Sequence, residues 1–88
     1  MKIHFQDIVL RTLEGEPIVD AYKAIANTIY FNTRNLDLVE RAIMINRGDE
    51  VEINEEEKKE IIGLITKNHP AFILKAVLDF FEKNGENK

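Results

Sequence analysis

"RGDEVEINEEE", Arg47 to Glu57, is the stretch on which the reading of this chain turns. Its first three letters are the tripeptide that integrins bind, and its seven-acid neighbourhood invites a calcium-loop reading. Neither survives its own setting. With Asp49 as the first ligand, the third and fifth positions are Val51 and Ile53, where oxygen ligands are required, and the glycine is misplaced. The N-terminus lacks the apolar core of a signal peptide, so export to meet an integrin is not expected.

The stretch reads instead as a connector between two helices. Gly48 follows a run of helical periodicity and suits the left-handed residue that ends a helix, with Arg47 complementing the negative end of the helix dipole. Val51 and Ile53 alternate with acids, as in a short extended segment with its apolar side turned inward. Asn54 then caps a new helix, and Glu57, three residues on, reaches back in the manner of a capping box.

Working outward, the preceding apolar positions Leu38, Val39, Ala42, Ile43 and Ile45 predict a helix over about 36–46 with these residues buried. Before it, Tyr22, Ile25, Ala26, Ile29 and Tyr30 recur at three and four, which predicts a helix from Asp20, its expected N-cap. The N-terminal segment alternates at Ile3 and Phe5, continues through Ile8, Leu10 and Leu13, and breaks at Glu14-Gly15-Glu16-Pro17. A short β-hairpin or bent strand pair closing near Gly15 is expected over residues 1–19.

Downstream, the third helix carries its apolar face late, at Ile61, Ile62, Leu64 and Ile65, and "KNHP" stops it before Pro70 opens a fourth. That last helix is charged only at Lys75, Asp79, Glu82 and Lys83. Its apolar arc is too wide for one-sided packing, so it is either the central helix or partly an interface. The fold expected is α+β and mostly α: one domain over 1–88, with a hairpin at 1–19, a helical part at 20–84 and a disordered tail at 85–88.

The charge distribution is uneven. Asp49, Glu50, Glu52, Glu55, Glu56, Glu57 and Glu60 share their segment with two lysines, giving −5, whereas the rest of the chain sums to +1. No basic footprint for nucleic acid exists outside that segment. The start of the fourth helix offers Ala71, Phe72, Ile73 and Leu74 where a DNA-reading helix needs polar and basic groups. No apolar run reaches the ~18 residues of a membrane span, and a cytoplasmic or virion-associated location is expected.

Catalytic chemistry is sparsely provided. The chain has no serine or cysteine, its hydroxyl nucleophiles are four threonines, and its two histidines, His4 and His69, lie far apart in sequence. The glycines at 15, 48, 63 and 85 never cluster into a phosphate cradle. No catalytic residue, metal ligand or cofactor is expected, and the acids before Ile61 read as a solvated helix start.

Three segments, "LEGEPI" (13–18), "AIANTI" (24–29) and "RGDEVEINEEEKKEI" (47–61), carry a resemblance to a family of small phage and prophage proteins. Leu13, Gly15 and Pro17 match its leucine-x-glycine-x-proline turn, Ala26 and Asn27 its alanine-asparagine helix, and Gly48, Val51, Glu52 and Ile53 its connector. Ile53 stands where the family usually has leucine, and the N-terminal turn is shorter. The resemblance implies a phage or mobile-element setting and brings no reaction or ligand with it.

A non-enzymatic protein-interaction module is therefore expected, its partner either another protein or a second copy of itself. Its contact is expected on the fourth helix (Phe72, Leu74, Phe80, Phe81) or the first (Tyr22, Ile29, Tyr30). The alternative is an acidic decoy or regulator of a nucleic-acid-binding enzyme, acting through Asp49 to Glu60.

Overall fold

A computed structural model describes residues 1–85 as an α+β, mostly α fold. Strand β1 (Lys2–Ile3) leads through a 3-10 turn at Phe5–Asp7 and a long irregular arm into helix α1 (Ala21–Asn32). Helix α2 (Leu36–Arg47), strand β2 (Val51–Glu52), helix α3 (Glu55–Asn68) and helix α4 (Ala71–Gly85) follow. The tail expected at 85–88 is shortened by Gly85, which belongs to α4, and otherwise lies outside the described residues.

The connector organises the fold as its spacing predicts, but it does so through a partner far away in sequence. β2 pairs antiparallel with β1, Lys2 against Glu52 and Ile3 against Val51. The pairing extends to Met1, whose ammonium donates to the Ile53 carbonyl at 3.1 Å and whose carbonyl accepts from the Ile53 N–H at 2.8 Å. Ile3, Val51 and Ile53 are thereby turned inward, each at most 2% exposed.

The N-terminal hairpin expected to close near Gly15 is present and short: Arg11 and Pro17 form an antiparallel bridge, flanked by bonds from the Thr12 N–H to the Glu16 carbonyl and from the Ile18 N–H to the Leu10 carbonyl. Gly15 takes φ +90° there, and its N–H donates to the Thr12 carbonyl. Leu13, included in the apolar alternation, stands fully exposed at the turn.

The end of α2 and the start of α3 each have a visible cause. α2 ends in a Schellman motif: the Gly48 N–H donates to the Ile45 carbonyl and the Asp49 N–H to the Met44 carbonyl, with Gly48 at φ 83°. α3 begins with a complete capping box. Asn54 Oδ1 accepts from the Glu57 N–H at 2.8 Å, and Glu57 Oε1 accepts from the Asn54 N–H at 3.0 Å. α1 departs from expectation, since Asp20 sits at its N-cap in the left-handed region with no side-chain capping bond; its carbonyl accepts from the Lys23 N–H, and its carboxylate lies 3.9 Å from the Lys23 ammonium.

The core gathers Ile25 and Ile29 of α1, Leu38 and Ile45 of α2, Ile61 and Ile65 of α3, and Val77 and Phe81 of α4 around Phe5. The Phe5 ring meets Phe81 edge-on at 5.8 Å between centroids and Phe80 tilted at 5.4 Å. Buried aromatic pairs of this kind add about 0.5–1.5 kcal/mol beyond area burial. α1, packed on both α2 and α3, is the central helix. α4 packs chiefly on α3, so its wide apolar arc does not mark a central helix. Pro70 stands just before α4, its carbonyl accepting from Ile73.

Candidate functional site

α1 and α2 form an antiparallel pair through the short link Thr33-Arg34-Asn35, in which the Asn35 side chain accepts from the Asp37 N–H. Successive helical residues are ~100° apart, so the buried set of each helix dictates what faces out. On α1 the buried residues are Ala21, Ile25, Ala26 and Ile29, which leaves Lys23, Asn27, Tyr30 and Phe31 on the far side. On α2, burial of Leu38, Ala42 and Ile45 turns Leu36, Glu40, Ile43 and Arg47 outward as one stripe.

Four of these outward residues are large and apolar. Leu36 is 81% exposed, Phe31 77%, Tyr30 47% and Ile43 45%. The Tyr30 and Phe31 rings meet edge to face at 5.2 Å, which holds them as one aromatic unit. Between the helices runs a groove of about 300 Å³, floored by Ala26 and Ala42 and walled by Tyr30, Phe31 and Ile43, with Asn27, Asn46 and Arg47 supplying polar edges. Small residues on the floor create the recess, and large ones beside it form the walls.

A wider hollow of about 430 Å³ lies between the N-terminal arm and α4, where Val9 and Phe72 present apolar surface. Its rim is charged, with Asp7, Arg11, Lys75, Asp79 and Lys83, and much of that charge is already engaged. Lys75 lies 3.5 Å from Asp79, and Arg11 donates to the Gly15 carbonyl. The α1/α2 groove differs in carrying less charge, with Arg47 at its edge and aromatic and aliphatic walls.

Of the interface residues predicted from sequence, Tyr30 and Phe72 are exposed. Tyr22 and Leu74 are half-buried against the core. Ile29 and Phe81 are buried in the core, and Phe80 is buried at the edge of the hollow between the arm and α4. Ile29 fills the α1 side of the core, and Phe80 and Phe81 close over Phe5. Phe31, Leu36 and Ile43 are large exposed apolar residues that sequence reading did not select, and Ile43 is half-exposed where burial is expected. Placing Phe31 two residues after a buried Ile29 turns it about 200° away from the core, a signal the sequence does carry.

The seven acids do not form one patch. Glu57 is 6% exposed: beyond its capping bond, its Oε2 lies 4.0 Å from Arg41 Nη2. Arg41 Nε donates in turn to the Glu52 carbonyl at 2.8 Å, so one side chain of α2 ties both β2 and α3. Sequence reading missed this role of Arg41. Glu60 accepts from the Thr33 hydroxyl at 2.6 Å, and Asp49 pairs with Arg47 at 3.0 Å. The solvated helix start is confined to Glu55 and Glu56 at the head of α3, with Glu50 and Glu52 exposed before it.

The Arg-Gly-Asp tripeptide is the C-terminal cap of α2, its two charged ends bonded to each other. His69 closes α3 and lies 2.5 Å through Nε2 from Thr28 Oγ1. The Thr28 hydroxyl also donates to the Ala24 carbonyl of its own helix at 3.0 Å. His69 thus fastens the α3–α4 turn to α1. Among the described residues no three His, Asp or Glu side chains gather as a metal site, and no helix is long and apolar enough to cross a membrane.

Comparison with family models, with curated proteins and with solved structures finds no match to this chain.

Proposed function

We propose that the chain is a small protein-interaction module, without a reaction of its own, that binds another protein through the outer face of α1 and α2. The observation that carries this reading is the gathering of Tyr30, Phe31 and Ile43 around a groove between α1 and α2 whose floor is alanine, with Leu36 exposed on the same stripe of α2 as Ile43. Large exposed apolar residues scattered singly need no explanation, but a contiguous set with a recess at its centre is the usual form of a contact surface. Aromatic residues dominate binding energy at such surfaces.

The resemblance of the turn at Leu13–Pro17 and of the Gly48–Ile53 connector to small phage and prophage proteins supports a phage-derived role, such as assembly of the particle. The acidic-decoy reading loses support from the engagement of Glu57, Glu60 and Asp49 within the fold.

The test is retention of proteins from an extract of phage-producing cells on the immobilised chain. The triple variant Tyr30→Glu, Phe31→Glu, Ile43→Glu should lose a partner that the parent and Phe72→Glu both hold. A partner held equally by all three would place the contact elsewhere.

A further inference from the structure

The outward stripe of α2 carries a charge pattern that selects its own occupant. Glu40 and Arg47 lie on the same face as Ile43, three residues before it and four after it, and all three are exposed. Their separation of seven residues spans about 10.5 Å along the helix axis. Against a parallel copy of α2, Glu40 would face Glu40 and Arg47 would face Arg47. Against an antiparallel copy centred beside Ile43, Glu40 faces the second copy's Arg47 and Arg47 the second copy's Glu40, with the two Ile43 side chains between them.

We infer that the face proposed above as a contact surface is covered by a second copy of the same chain, α2 against α2 antiparallel about a two-fold axis beside Ile43. The inference rests on that proposal and commits it to one partner. A two-fold arrangement is closed and self-complementary, so each attractive pair occurs twice. Tyr30 and Phe31 flank the axis from α1, across the groove from Ile43, and extend the apolar contact beyond the two crossing helices. Arg47 holds Asp49 at 3.0 Å in the single chain, an exposed pair that an incoming Glu40 can share or replace. The patch is short, since α2 has 12 residues, and the dimer is accordingly weak and dependent on concentration.

Sedimentation equilibrium over about a hundredfold range of concentration reads the association. The parent chain should pass from monomer to dimer, and Ile43→Glu should stay monomeric. Glu40→Arg alone, or Arg47→Glu alone, turns both attractive pairs repulsive and should weaken the dimer by about tenfold or more. In an equal mixture of those two single variants, one chain carries arginine at both positions and the other carries glutamate at both. Both facing pairs are then attractive again, and the mixture should recover association that neither variant shows alone. Circular dichroism of each variant separates lost contact from lost fold.

A parent chain monomeric throughout, or a dimer indifferent to both reversals and to their mixture, overturns the inference. In either case a protein captured from the extract by the parent, and lost by the triple variant, would leave the broader reading standing. The two failures are therefore distinguishable.

Discussion

Replacing each of three glycines by alanine should give three different answers, because the same added methyl group meets three different situations. Gly48 ends α2 at φ 83°, where an L side chain is strained by about 1–2 kcal/mol. A Cβ there would also lie 3.1 Å from Gln6 Oε1 and 3.3 Å from its Cδ and Nε2. Gln6 is exposed, so its flexible end can retreat, at no more than about 1 kcal/mol. Against this, alanine reduces the freedom of the unfolded chain by about 0.4–1 kcal/mol. Gly48→Ala should therefore lower stability by about 1–2 kcal/mol.

Gly63 lies within α3 with open space where its Cβ would go, and Gly63→Ala should raise stability by about 0.5–1 kcal/mol. Gly15, at φ 90° with nothing near, isolates the backbone strain and should fall between them. For a chain of 88 residues the unfolding entropy is about 0.18 kcal/mol/K, so the expected shifts in Tm are a loss of about 5–10 °C for Gly48→Ala and a gain of about 3–5 °C for Gly63→Ala. Thermal unfolding followed by circular dichroism measures all three. Adding Gln6→Ala to Gly48→Ala should return only the steric part. Equal shifts at 48 and 63 would refute the Schellman assignment and with it the path of the connector into β2.

The capping box predicts coupled losses: Asn54→Ala should cost about 1 kcal/mol in urea unfolding. Glu57→Ala should cost about 1–3 kcal/mol, and the double variant less than the sum, since the two bonds are reciprocal. Phe81→Ala removes a core ring and should cost about 3–5 kcal/mol, leaving the chain near its unfolding threshold, whereas Phe72→Ala at the surface should stay within about 0.5 kcal/mol of the parent by the same assay. Thr28→Val breaks the tie to His69 and should cost about 1 kcal/mol, with little further loss when His69→Ala is added.

What can be read from the sequence is local. The end of α2 at Gly48, the capping box at Asn54 and Glu57, and the inward turn of Val51 and Ile53 each follow from residues within a few positions of one another. So do the four helices. The partner of β2 is some fifty residues away, and two-residue strands carry too little alternation to announce a pairing. Ile3 and Phe5 look like the start of a hairpin because apolar alternation is the same whichever strand lies opposite. Asp20 shows the limit of residue preferences, for aspartate favours N-caps and also tolerates the left-handed region, and here the backbone takes the second option. Glu57 is visible as a cap and invisible as a buried charge, because its burial depends on Arg41 arriving from α2.

The candidate site is half legible for a related reason. Periodicity assigns apolar residues to a core face by default, so it counts Ile43 with Leu38 and Ile45, although Ile43 lies about 160° from Ile45 around the helix axis. Once the core is known, Tyr30, Phe31, Leu36 and Ile43 are the apolar residues that the α1/α2 pair does not use. A sequence shaped only for stability would place polar groups at those positions, since the fold gains nothing from exposing them. Val9, Phe72 and Leu78 raise the same question around α4, where Lys75 pairs with Asp79 as Arg47 pairs with Asp49 at the end of α2. On α2 the charges sit astride Ile43 with opposite signs, Glu40 before it and Arg47 after it, and an antiparallel copy of the helix meets both at once. The residues that conflict with the fold and the charges that complement one another thus fall on the same face, which is why that face is where an interaction should be sought.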